Sequence, residues 1–133
     1  MYFYPAGLQA AAIRFKNSLQ ENTKIFAMVE DVIESCHNGI VSWNEKSKIT
    51  PIFLQGKDDY FKTIERWRII EEFFEINGIA YKVVKSLDGS ILSKITNLVY
   101  LLDYTSIYAA VLSNTDPSPV SSIEFIKKRL SLE

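Results

Sequence analysis

Short apolar runs alternate along this chain with longer stretches in which apolar residues recur every three or four positions. That alternation is restrictive. Strands separated by whole helices cannot pair as hairpins; they call for crossover connections and a parallel sheet. Met1 to Tyr4 reads as the first strand, stopped by Pro5 and Gly7. Leu8, Ala11, Ala12, Phe15 and Leu19 mark an amphipathic helix from Leu8 to Leu19. Ile25 to Val29 is an apolar run read as extended. Between Asp31 and Asn38, Val32, Ile33 and Cys36 fit one face of a short helix, although the segment is ambiguous. Ile40, Val41 and Trp43 form an apolar patch ahead of a polar loop, Asn44 to Lys48.

The second half repeats the logic. Ile49 to Leu54 reads as a strand despite Pro51, which must sit early or where no ladder bond is needed. Gly56 and the pair Asp58-Asp59 are expected to open a long helix to Ile76, with acids near the positive end of its dipole. Its stripe is Phe61, Ile64, Trp67 or Arg68, Ile70 or Glu71, and Phe74. Asn77-Gly78 stops that helix, Ile79 to Val84 is the next strand, and KSLDGS is a turn. Ile91 to Leu112 is a second long helix, ended by DPSP at residues 116 to 119. A last helix carries Ile123, Ile126 and Leu130, with Ser121 and Glu124 at capping-box spacing. The class is α/β, a three-layer sandwich around a parallel sheet. In such sheets ligands usually bind beyond the carboxyl ends of the strands.

The 133 residues make one ordinary domain, 1-133, and 47% hydrophobic content supplies a core. A first strand at the first residue looks like a domain cut from a longer chain. Fifteen basic residues against sixteen acidic ones remove the electrostatic case for nucleic-acid binding. Cys36 has no cysteine partner, which fits a reducing compartment. No apolar stretch is read as approaching the ~20 residues that span a bilayer, and no signal peptide is evident; a cytoplasmic protein without a membrane partner is expected. No G-x-G-x-x-G follows the first strand and no Walker loop occurs, so nucleotide binding has no support. One His and one Cys cannot make a zinc site of the usual ligands. No cofactor and no metal are expected.

Three residues stand out as candidates for chemistry: Glu21 in QENTK, where the first helix runs out; His37 in SCHNG; and Lys127 in the KKR of the last helix. Read singly, each is an ordinary solvated side chain. Together they match a family. IRFKNSLQENTK, Ile13 to Lys24, resembles the start of the second sugar isomerase (SIS) domain of the bifunctional phosphoglucose/phosphomannose isomerases. His37-Asn38 follows at the family's distance, and DPSPVSSIEFIKKRL, Asp116 to Leu130, is similar to its closing helix.

The resemblance implies that Glu21 is the base that moves a proton between C1 and C2 of an open-chain sugar phosphate. It implies that His37 and Lys127 assist ring opening and closing, the histidine reaching in from a neighbouring subunit. A carboxylate can take and return such a proton, an imidazole can both give and take one near neutrality, and a cation can steady the enediolate. Arg14 and Lys16 are read as surface charges. Gln20 stands where the family commonly has Asn, Thr23 replaces a small residue, and Gly39 is expected to loosen the loop that holds His37. The family's Ser/Thr-rich phosphate loop, and an arginine of the site, belong to a first SIS half that is not in this sequence. KSLDGS is the nearest local substitute for that loop, though a plain strand-to-helix connection fits it better. The expected partners are a sugar phosphate and either a second copy of the chain or an N-terminal SIS half. The alternative is a non-catalytic phosphosugar-binding or dimerisation module.

Overall fold

The computed structural model describes residues 2–43 and 49–131, so the polar loop expected over Asn44 to Lys48 lies outside the described residues. Four strands, β1 (Tyr2–Tyr4), β2 (Val29–Asp31), β3 (Ile52–Gln55) and β4 (Lys82–Lys85), form one sheet in the order β2-β1-β3-β4. Every pairing is parallel, with Phe3 opposite both Glu30 and Phe53, and Phe53 opposite Val83. The helices are α1 (Gln9–Thr23), α2 (Val32–Ser35), α3 (Phe61–Ile76), α4 (Ile91–Leu112) and α5 (Ser121–Leu130). The expected three-layer α/β architecture is what the chain adopts.

Alternation along the strands divides the core in two. Tyr4 and Leu54 point to one face, where they meet Ala11, Ala12, Phe15 and Leu19 of α1 and Leu98 and Leu102 of α4. Phe3 and Phe53 point to the other, against Trp43 and against Trp67, Ile70 and Phe74 of α3. The second cluster is dominated by aromatic rings: Phe53 lies 5.4 Å from Phe3, 5.4 Å from Trp67 and 5.5 Å from Phe74, ring centre to ring centre.

Several boundaries move from the sequence expectation for identifiable reasons. α1 continues to Thr23, so Glu21 sits in a helical turn and not in a loop. Lys24 then turns the chain in the left-handed conformation, with φ 60°. Only Val29 of the run Ile25 to Val29 joins a strand. The segment before it crosses from helix to sheet, burying Ala27 and leaving Phe26 83% exposed. Pro51 is buried just ahead of β3, where a proline is tolerated, and its carbonyl accepts the Lys82 N–H.

The acids expected in the first turn of α3 precede it. Asp59 accepts hydrogen bonds from the Gly56 N–H (2.9 Å) and the Trp67 indole N–H (3.0 Å), and a Cβ on Gly56 would overlap that carboxylate. The capping box of α5 does not form. Val120 is the N-cap, and its carbonyl takes the N–H groups of Ile123 and Glu124.

α4 occupies the residues expected, Ile91–Leu112. It is 22 residues long and, contrary to the sequence reading, long and apolar enough to cross a membrane by length and composition. One stripe, Leu98, Leu102, Ser106 and Ala110, is buried, and Asp103 beside it is tied to α1, while Tyr100, Tyr104, Tyr108 and Val111 on its outer side are exposed.

Candidate active site

Because β1 and β2 are parallel, α1 must run back against them, and its C-terminal turn lies at the amino ends of the strands. Glu21 therefore stands at the edge opposite the one where open α/β sheets usually bind ligands. Its side chain is exposed. α1 is held there by a polar ladder to α4. Arg14 donates to both carboxylate oxygens of Asp103 (Nη2 to Oδ2, 2.8 Å), Ser18 donates to Oδ1 at 2.7 Å, and Asn22 donates to the Ser106 hydroxyl at 2.7 Å. The hydrogen bond from Arg14 holds the Asp103 carboxyl below its usual range, and the same pair, with Glu21 nearby, raises Arg14. Arg14 is an exposed surface charge, as expected, and it also joins α1 to α4.

The end of α1 is also joined to the loop that leads into α5. The Lys24 ammonium donates to the Glu21 carbonyl (2.6 Å), to the Pro119 carbonyl (2.7 Å) and to the Pro117 carbonyl (3.2 Å). Asp116 shapes that loop by accepting the Ser118 N–H at 2.9 Å, which holds its carboxyl below the usual range. Lys127 rides on α5, no residue of which is buried.

His37 is elsewhere. It follows α2 in a turn, its N–H bonded to the Glu34 carbonyl. That turn comes after the carboxyl end of β2 and on the sheet face that carries α3. Gly39, expected to loosen the turn, instead accommodates Glu30: a Cβ there would overlap the Glu30 carboxyl. Burial, and then the neighbouring Glu34, push the Glu30 carboxyl up, and its Oε2 is buried with no hydrogen-bond partner. Among the described residues no hydrogen bond or ion pair joins Glu21, His37 and Lys127. Lys24 ties the end of α1 that bears Glu21 to the loop ahead of α5, which carries Lys127; His37 lies across the sheet.

Beside the carboxyl ends of β3 and β4 lies a cleft of about 850 Å³ lined by Gln55, Lys57, Glu71, Tyr81, Lys85 and Ser86; elsewhere along this edge internal pairings take the charged groups. A cleft of about 300 Å³ between the ends of β1 and β3 is lined by Gly7, Thr63, Asp58, Asp59 and Lys94, but Lys94 and Asp58 are an ion pair. In KSLDGS the Ser86 hydroxyl accepts the Lys57 N–H, and Ser90 caps α4 by accepting the Ser93 N–H. The loop connects β4 to α4. Among the described residues no group of three or more His, Cys, Asp or Glu could hold a metal ion.

The family model for the bacterial phospho-glucose isomerase C-terminal SIS domain matches residues 1–130. The chain belongs to that family. Three bifunctional phosphoglucose/phosphomannose isomerases are similar to this SIS domain. The one from Caldicellulosiruptor bescii is 31% identical over 129 residues, covering 92% of this chain and 38% of that protein. Those from Aquifex aeolicus and Thermoplasma acidophilum are 30% and 28% identical, covering 90% and 92% of this chain and 38% and 39% of theirs. The domain thus spans about two fifths of the length of these relatives. A glucose-6-phosphate isomerase like protein from Thermus thermophilus shares the fold. Its TM-score is 0.69 at 16% identity, over 96% of this chain and 42% of that one.

Sequence reasoning missed Lys24, Asp103 and Glu30. Lys24 stood inside the quoted QENTK, and its signal is a lysine just past a helix end, where a cation meets free carbonyls. Asp103 is an acid beside the apolar stripe of α4, the ordinary mark of a buried or clamped charge. Glu30 carries no such signal, because nothing local says that a glycine nine residues on will lie against it.

Proposed function

We propose that this domain is the C-terminal half of a sugar-phosphate aldose–ketose isomerase, interconverting glucose 6-phosphate or mannose 6-phosphate with fructose 6-phosphate in the cytoplasm. Glu21 takes the proton from the carbon beside the carbonyl and returns it to the neighbouring carbon of a cis-enediol, so that no atom is gained or lost. Lys127 lends positive charge to the developing enediolate, and His37 carries protons in ring opening and closing. The observation that carries this reading is the family match over residues 1–130.

Two features support a site built from more than one chain or half. His37 and Glu21 stand on opposite faces and towards opposite ends of the sheet, so His37 serves a site other than that of its own Glu21. The outer side of α4 exposes Tyr100, Tyr104, Tyr108 and Val111, and α5 exposes Phe125 and Ile126. Apolar surface of that extent suits a second copy or an N-terminal SIS half.

The test is conversion of fructose 6-phosphate to the two aldose phosphates, by the chain alone and with an N-terminal SIS half added, with Glu21→Gln as control. Turnover lost in Glu21→Gln is the expected result. Turnover unchanged by Glu21→Gln removes Glu21 as the base. No turnover in either arrangement turns the reading to a phosphosugar-binding module.

A further inference from the structure

From the three hydrogen bonds of its ammonium we infer that Lys24 is a positioning residue, a clasp that fixes the helix end bearing Glu21 to the loop that launches α5 and Lys127. The inference rests on the isomerase reading of Glu21 and Lys127. An ammonium has three N–H donors and no acceptor. Here three carbonyls take them: Glu21 at 2.6 Å, Pro119 at 2.7 Å and Pro117 at 3.2 Å. No donor is left to hold a substrate oxygen, which separates Lys24 from a catalytic role.

The backbone is arranged around this task. Lys24 occupies the position after the helix with φ 60°, a conformation that Gly or Asn adopts at lower cost. The turn folds its side chain back over the last helical carbonyls, where a cation also complements the helix dipole. The partners are 93 and 95 residues away in sequence. They are carbonyls of Pro117 and Pro119, in a segment whose prolines limit its other conformations.

α5 itself packs loosely. None of its residues is buried, so the grip on the loop before it is a direct tie between the α1 end and this helix. The nearby Asp116 carboxylate feels the Lys24 charge, which adds attraction to the same junction.

The experiment compares Lys24→Met and Lys24→Arg with the unaltered chain and with Glu21→Gln, in whichever arrangement turns over fructose 6-phosphate. It follows kcat, KM and amide hydrogen exchange over residues 114–124. For Lys24→Met the expected result is faster exchange there and a fall in kcat of about 10- to 100-fold with KM within about threefold, since misplacing a catalytic group by an ångström costs this much. Lys24→Arg, which keeps charge and donors, is expected to recover part of kcat. Unchanged exchange overturns the clasp itself. Faster exchange with unchanged kcat, while Glu21→Gln abolishes turnover, overturns the positioning role and leaves the isomerase reading standing. Full turnover in Glu21→Gln overturns the isomerase reading, and with it any service of Lys24 to that reaction; the exchange data then still decide the clasp.

Discussion

The α3 face of the sheet and the α5 helix carry similar apolar stripes and have opposite fates. In α3 the stripe Trp67, Ile70 and Phe74 disappears into an aromatic core with Phe3, Trp43 and Phe53. In α5 the stripe Ile123, Ile126 and Leu130 stays in solvent, with Phe125 beside it 62% exposed. Periodicity therefore says that a face will be covered, not by what. For α3 the cover is this chain's own sheet; for α5 none is present among the described residues, and a second copy or an N-terminal half is the occupant we propose.

The sharpest way to test the contrast is to damage the two regions alike. Phe53→Ala removes the ring at the centre of the aromatic cluster and is expected to cost about 3–5 kcal/mol, a large part of the stability of a domain this size; urea unfolding followed by circular dichroism measures it. Trp67→Phe keeps the packing but leaves the half-buried Asp59 carboxylate without its indole donor. A loss of about 1–2 kcal/mol by the same measurement is expected.

Acid probes the other face of the sheet. Asp103 has its folded pKa lowered by the Arg14 hydrogen bond. Its contribution is thus present above the unfolded carboxyl value of about 3.9 and lost as pH falls through the lowered folded value. The stability gap between the unaltered chain and Asp103→Asn should narrow as pH falls from about 5 to about 3, whereas a gap independent of pH would remove the ion pair as its cause. Smallest of all should be the effect of Phe125→Ser with Ile126→Ser in α5, within about 0.5 kcal/mol. A substitution there as costly as Phe53→Ala would break the comparison. Sedimentation of the same variant should show weaker self-association or weaker capture of an N-terminal half.

What was legible in the sequence follows the same division. The parallel α/β class, α4 to the residue and the glycine stop at Gly78 follow from local pattern, because strand alternation, helical stripes and φ 65° at Gly78 are local causes. The end of α1 was not legible to the turn, since it is held by partners distant in sequence, and the cap of α5 fell one residue earlier than the Ser121 spacing implied. Lys24 needs Pro117 and Pro119, and Val120 supplanted Ser121 as the cap. The site divides likewise. Residue types and order identified Glu21, His37 and Lys127 as candidates through the family likeness, while the placement of Glu21 and His37 at opposite ends and faces of the sheet is a property of crossover topology alone.

That placement makes one mixing experiment decisive. Glu21→Gln and His37→Ala chains, each expected to be inactive alone, are combined and assayed for fructose 6-phosphate turnover, with an N-terminal SIS half present if turnover requires it. If Glu21 and His37 serve one site from different chains of a two-fold dimer, hybrid dimers carry one intact site, and about a quarter of the unaltered activity should return. Activity no higher than the sum of the two variants would contradict a site shared between chains.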